Sequence, residues 1–148
     1  MRLFLDTEFV DLKPGAKLIS IALVAEDGQF FYADCSPFVH NYVLPFLHGY
    51  RKPEYQMTWS ECALKIGNWI EDRNTNCILA CDNPGWDVPY LASLLKDCPP
   101  PNLDMNSIFP VYVPAPMQED IVISMDFDIH NALDDAKVMR IGTLRQEG

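Results

Sequence analysis

The chain has 148 residues and a formal net charge of −10 at pH 7, and 49% of its residues are hydrophobic. This size and composition predict one folded domain over residues 1–148 and exclude an intrinsically disordered chain. The negative charge argues against a protein that wraps long nucleic acid with a broad basic surface, because such binding needs clustered lysine and arginine.

The N-terminal part of the chain predicts three strands. Residues 3–9 form an apolar run that two acids interrupt, and residues 18–25 form a longer, mostly apolar run. Residues 26–28 predict a turn that joins this second strand to a third strand at 29–33 as a hairpin.

Two helices and a buried strand follow in the prediction. Residues 59–70 carry apolar side chains at the three-and-four spacing of an amphipathic helix, with Thr58 or Ser60 as its cap. The short apolar run 77–81 is typical of a buried parallel strand. Residues 87–95 then predict a second helix, with a proline that its first turn tolerates.

The C-terminal part predicts an irregular crossing and a last helix. Residues 98–116 are rich in proline and predict a segment with at most a short strand around Ile108. Residues 133–144 place most of their apolar side chains on one helical face. Together the elements predict an α/β fold, in which helices cover a sheet of mixed strand direction and residues 3–9 form its central strand.

The chain also predicts a cytoplasmic protein without membrane contact. Its apolar runs are too short to span a bilayer, and the first residues lack the apolar stretch of a signal peptide. The five cysteines have neither the pattern of a small secreted domain nor a C-x-x-C zinc pair, so we expect reduced thiols.

Asp6 and Glu8 are the first candidates for chemistry. They are two residues apart in the first predicted strand, whose period of two places both carboxylates on one face. Two like charges in an apolar setting call for a cation, and hard divalent ions such as magnesium take carboxylate oxygens. Two such ions can promote phosphodiester cleavage. For an isolated Asp-x-Glu, however, a strand end with two solvated acids is the commoner explanation.

Three further residues extend this pattern. Asp87 follows the strand at 77–81 and either caps the next helix or directs its carboxylate toward the mouth of the sheet. His130 precedes the last helix, and Asp135 lies in its first turn. A histidine can take a proton from an attacking water, while a nearby carboxylate ligates the metal that acidifies that water. A lone histidine is more often structural, so only the combination indicates chemistry.

The combination resembles a known family. The motifs are Asp6-Thr7-Glu8-Phe9, then Trp86-Asp87, then His130-x-Ala132-x-x-Asp135-Ala136. Their order and spacing resemble the three motifs of the DEDDh family, the 3′-to-5′ exonucleases with an RNase H-like fold. Residues 18–28 are most similar to a small bacterial subgroup described as exoribonucleases. The resemblance implies a single exonuclease domain over residues 1–148, built on an RNase H-like mixed five-stranded sheet flanked by helices.

The resemblance also implies a role for each matching residue. Four acids would hold two Mg²⁺ ions, with Mn²⁺ as a substitute: Asp6, Glu8, Asp87 and Asp135. His130 would act as the general base. The family's spacing selects Asp135 in preference to its neighbour Asp134.

The implied reaction is hydrolysis at the 3′ end of single-stranded nucleic acid, with RNA favoured and nucleoside 5′-monophosphates released. Thr7, Phe9 and Trp86 are candidate contacts to the terminal nucleotide, because backbone groups and aromatic rings beside the ions can meet a sugar and a base. Core packing is the commoner role of such rings. Many members of the family are homodimers, so a homodimer is a further expectation.

Two other functions stay open at this point. One is a 3′-to-5′ exodeoxyribonuclease of replication or phage type, and the other is an RNase H-like module that binds nucleic acid without cleaving it. The chain also departs from the family pattern in two places. Cys81-Asp82-Asn83 stands where the family often has a His-Asn or similar pair, and the proline-rich segment stands where relatives commonly have a helix and a strand.

Overall fold

The computed structural model describes residues 1–9, 16–35, 53–128 and 131–148. The strands are β1 (Arg2–Phe9), β2 (Leu18–Ala25), β3 (Phe30–Asp34), β4 (Cys77–Cys81) and β5 (Leu103–Pro110). The helices are α1 (Trp59–Glu71), α2 (Pro84–Leu95), α3 (Ala115–Met125) and α4 (Ala132–Glu147).

All five strands belong to one sheet in the order β3-β2-β1-β4-β5. The pairs β1–β2 and β2–β3 are antiparallel, and the pairs β1–β4 and β4–β5 are parallel. β1 is therefore the central strand. The predicted α/β class, with a mixed sheet of RNase H-like arrangement flanked by helices, is confirmed.

The two faces of β1 bury different apolar layers. Leu3 and Leu5 pack with buried residues of α1 and α2, whereas Phe4 packs with residues of α3 and α4. Because strand side chains alternate between faces, Asp6 and Glu8 share the face of Phe4 and point toward the α4 side. Thr7 lies on the opposite face, toward α2.

The two helices before β5 begin for local reasons. Thr58 caps α1, since its side chain accepts a hydrogen bond of 3.2 Å from the Glu61 N–H. α2 begins at Pro84, where the missing N–H of proline costs no helical hydrogen bond. Asn83 is the N-cap residue of α2, so the prediction that Asp87 caps this helix is wrong. Asp87 instead lies within the first turn.

The prediction of an irregular crossing at 98–116 is also wrong, except for the short strand that it allowed around Ile108, which lies in β5. This segment contains β5, which pairs along β4 at the edge of the sheet, and the start of α3. Its prolines mark element boundaries: Pro110 ends β5, Pro114 is the N-cap residue of α3, and Pro116 lies in the first turn. An edge strand and a first helical turn both tolerate a residue without an N–H. The prolines of this segment therefore mark the ends and starts of regular elements and do not indicate an irregular chain.

In the part of the chain that the structure describes, no helix has both the length and the apolarity that crossing a membrane requires.

Each of the five cysteines is a free thiol. Cys98 is exposed, and the other four are buried.

Candidate metal centre

Within the described residues, two groups of carboxylates lie close enough together to hold a cation, and Asp6, Glu8 and Asp135 form the first of them. β1 presents Asp6 and Glu8 on one face, and the first turn of α4 brings Asp135 to the same place. One oxygen from each carboxylate lies within 4.8 Å of the other two. The structure thus brings together three of the four acids that the sequence singled out as metal ligands, although they come from opposite ends of the chain.

A second carboxylate group contains the fourth acid. Asp6, Asp82 and Asp87 also have oxygens within 4.8 Å of one another. Asp87 is buried, with 3% of its surface exposed, whereas Asp82 is exposed. Asp6 belongs to both groups, so five carboxylates line one site, which we call the acidic cluster.

Asp82 is the member that the sequence reasoning missed. It directly follows β4, which pairs in parallel with β1. The carboxyl ends of neighbouring parallel strands meet at one edge of a sheet, and ligands of α/β proteins bind at that edge. The sequence signal that could have identified Asp82 as a candidate ligand is therefore its position directly after the buried run 77–81.

Burial and crowding raise the pKa values of these acids. Burial, followed by the charges of Asp135 and Asp87, raises the pKa of Glu8 to about 8. Burial also raises the pKa of Asp87 to about 6, against the opposing effect of a hydrogen bond from Thr7. The pKa of Asp6 is raised well above its ordinary value, first by burial and then by the neighbouring carboxylates. These shifts show that ionised acids are unfavourable here without a positive charge nearby.

The acidic cluster fits divalent cations. Oδ2 of Asp6 is buried and has no hydrogen-bond partner among the residues that the structure describes, which is costly for a carboxylate oxygen unless a ligand satisfies it. The two groups offer only carboxylate oxygens, the ligands that hard ions such as Mg²⁺ and Mn²⁺ prefer. Asp6, Glu8, Asp82, Asp87 and Asp135 are thus the residues that can hold such ions.

Thr7 orients one of these ligands. It is 5% exposed, and its hydroxyl donates a hydrogen bond of 2.6 Å to Oδ1 of Asp87. The side chain therefore positions a carboxylate, as hydrogen bonds to metal ligands commonly do. Because the side chain of Thr7 bonds Asp87, the predicted contact with a substrate would involve the backbone groups of Thr7, and it stays a prediction.

Phe9 and Trp86 pack together beside Thr7. The ring of Phe9 stacks on Trp86 and on Tyr90 of α2, with centroid distances of 5.5 Å in both pairs. The Tyr90 hydroxyl donates a hydrogen bond of 2.5 Å to the carbonyl of Ala16. These contacts give both rings a packing role, and their predicted contact with a terminal nucleotide stays a prediction.

The start of α4 separates two neighbouring acids. The side chain of Asn131 caps the helix by accepting hydrogen bonds from the N–H groups of Leu133 and Asp134. Asp134 is buried, and its Oδ2 accepts a hydrogen bond of 2.8 Å from the Asp128 N–H. Asp135 instead contributes its carboxylate to the acidic cluster. His130 lies outside the described residues, so its role as general base stays a prediction.

A cavity of about 480 Å³ adjoins the acidic cluster. Its lining includes Asp6, Asp82 and Asp135. The lining also includes Val111, Tyr112 and Val113 from the β5–α3 connection, and Met139 from α4. The volume falls within the range of small-molecule sites, about 300–1,000 Å³.

Neither a protein-family model nor a curated protein matches this chain. The geometry of the acidic cluster therefore carries the functional assignment.

Proposed function

We propose that the protein is a metal-dependent 3′-to-5′ exonuclease that acts on the 3′ end of single-stranded nucleic acid and releases nucleoside 5′-monophosphates. The observation that supports this best is the pair of carboxylate groups that share Asp6. Two adjacent ligand sets with one carboxylate in common suit the pair of ions that phosphodiester cleavage uses. The motif order that resembles the DEDDh family, on a mixed sheet of RNase H-like arrangement, supports the same reaction.

Each part of the chain has a defined task in this proposal. β1 holds Asp6 and Glu8 at fixed positions, and the hydroxyl of Thr7 holds the carboxylate of Asp87. The five carboxylates of the acidic cluster would hold two divalent ions, which would lower the pKa of the attacking water and place positive charge near the phosphoryl oxygens. His130, by its place in the motif, takes the proton of the water as general base.

Charge and sequence favour short or free-ended substrates, with RNA preferred. A net charge of −10 repels long polyanions, while a cation-filled acidic cluster attracts one or two phosphates at a chain end. The preference for RNA rests on the similarity of residues 18–28 to the exoribonuclease subgroup.

An end-labelled single strand tests this reaction directly. With Mg²⁺ or Mn²⁺, a 5′-labelled oligomer should shorten one nucleotide at a time and release mononucleotides, and EDTA should stop this. Asp135→Ala should lower the rate at least about a thousandfold. It removes a carboxylate that would bind a cation, and that cation would stabilise the negative charge on the reacting phosphate. Asp97→Asn changes an exposed acid outside the acidic cluster and should keep the wild-type rate.

The same assay separates the competing functions. Undiminished activity in Asp135→Ala, or release without metal, would contradict the proposal. Matched RNA and DNA oligomers distinguish an exoribonuclease from an exodeoxyribonuclease, since only RNA offers a 2′-hydroxyl. Binding of both oligomers with no mononucleotide release would indicate a module that does not cleave.

A further inference from the structure

We propose that residues 111–113, together with Met139, form a nucleobase-binding wall beside the acidic cluster, with the ring of Tyr112 stacking on the base. The wall would hold the base of the nucleotide whose phosphate lies at the acids. The identification of the ligand as a nucleotide rests on the proposed nuclease function. The wall itself is inferred from the residues that line the cavity.

The lining of the cavity combines carboxylates with an aromatic ring, the two kinds of group that suit the two ends of a nucleotide. Asp6 and Asp135 belong to this lining and are residues that can hold cations for a phosphate. Val111 and Val113 in the same lining are 7% and 6% exposed, whereas Tyr112 between them is 76% exposed. The valines are thus anchored in the core, and the tyrosine offers a ring that is free to meet a ligand.

The backbone of the wall is fixed residue by residue. The Val111 N–H donates a hydrogen bond of 3.0 Å to the carbonyl of Cys81 at the end of β4. The carbonyl of Tyr112 accepts one of 2.9 Å from Nε2 of Gln146, and the carbonyl of Val113 accepts one of 2.7 Å from Nε2 of Gln118. Three different elements therefore hold three consecutive residues. A ring on so rigid a support loses little freedom when it stacks.

Gly142 brings the wall close to α4. A Cβ at this position would lie 2.5 Å from Cγ1 of Val113, so the valine occupies the space that any other residue would need. Glycine is unfavourable inside a helix. Glycine at this position allows the wall to approach α4, the helix that carries Asp135 and Met139. The acids and Tyr112 therefore line the same cavity.

A base suits this wall better than a purely polar ligand does. Aromatic rings bind bases by stacking, and this contact tolerates any base because each has a π-face. The two valines and Met139 are at most 7% exposed, so the ring of Tyr112 is the contact that a base would make. Asp6 and Asp135 line the same cavity, where they can hold cations for the charged part of the same molecule. Together these features define a site for one nucleoside monophosphate unit.

Binding of products tests the wall without requiring hydrolysis. We expect calorimetry with Mg²⁺ to show that each nucleoside 5′-monophosphate binds the protein about 5- to 150-fold more tightly than ribose 5-phosphate, the range that one stacked base provides. Tyr112→Ala should remove most of this preference, and Tyr112→Phe should retain it. Ile123→Ala removes another exposed apolar side chain, 79% exposed and outside the cavity, and should change nothing.

The outcomes separate this inference from the proposed function. A wild-type protein that degrades oligomers, while Tyr112→Ala keeps the full preference for nucleotides over ribose 5-phosphate, would overturn the wall. Equal binding of the two ligands by the wild type would also overturn it. A wild type that shows the preference, and loses it in Tyr112→Ala, supports the wall even if no oligomer is cleaved, and the absence of cleavage would then count against the nuclease function alone.

Discussion

Asp6→Asn should abolish nucleotide release and, at the same time, make the metal-free protein more stable. Asp6 belongs to both carboxylate groups, so its loss removes a ligand from each candidate ion. We expect the rate to fall at least about a thousandfold. The pKa of the same carboxylate is raised first by burial and then by the charges of Asp135, Asp87 and Glu8. A neutral amide ends this repulsion, and its N–H₂ group can donate to the neighbouring acids.

Thermal unfolding in EDTA measures the second half of this prediction. At pH 8 the variant should be more stable by about 1–2 kcal/mol, the usual gain when a functional site is relieved of strain. For a domain of this size that gain corresponds to a rise of about 2–8 °C in Tm. Asp97→Asn should leave both Tm and activity near wild type, since it lies outside the acidic cluster. A lower Tm for Asp6→Asn in EDTA would show that its charge stabilises the fold without a cation.

Divalent metal should stabilise the wild-type protein far more at pH 8 than at pH 5. The folded protein holds protons on Glu8 and Asp87, whose pKa values are about 8 and about 6 against ordinary values of 4.5 and 3.8. A carboxylate with a raised pKa contributes stability below its ordinary pKa, and this contribution is lost as the pH rises through the raised value. Without metal, stability should therefore fall between about pH 4 and pH 8 through these two groups.

Metal reverses this trend because it binds the ionised acids and displaces their protons. At a concentration one hundred times its Kd, one ion adds about 2.7 kcal/mol, or a rise of about 5–10 °C in Tm. Melting curves across pH 5–8, with EDTA and with Mg²⁺, measure the effect. A metal-induced rise that is equal at both ends of this range would contradict the assignment of Glu8 and Asp87 as ligands with raised pKa values.

The central strand and its acids could be predicted from the sequence because local periodicity determines them. Apolar neighbours make residues 3–9 a buried strand, and the period of two then fixes Asp6 and Glu8 on one face. The same holds for α4, whose apolar face and cap at Asn131 are local features. The approach of Asp135 to β1 was implied by the family resemblance and not by periodicity.

Other features depend on contacts that local sequence does not contain. The hydrogen bond between Thr7 and Asp87 joins residues that are 80 positions apart, and it became visible only when α2 was placed on the sheet. Asp82 needed the knowledge that β4 lies next to β1. The full length of β5, beyond the short strand around Ile108, and all of α3 could not be predicted from proline density, since an edge strand and helix starts accept proline.

The most direct test of the two-ion account is the anomalous diffraction of Mn²⁺ in crystals of the wild-type protein. The account predicts two manganese peaks about 3.5–4 Å apart, the usual spacing of two-ion sites. One peak should lie among Asp6, Glu8 and Asp135, and the other among Asp6, Asp82 and Asp87. A map with no manganese at Asp6 under saturating metal would contradict the account.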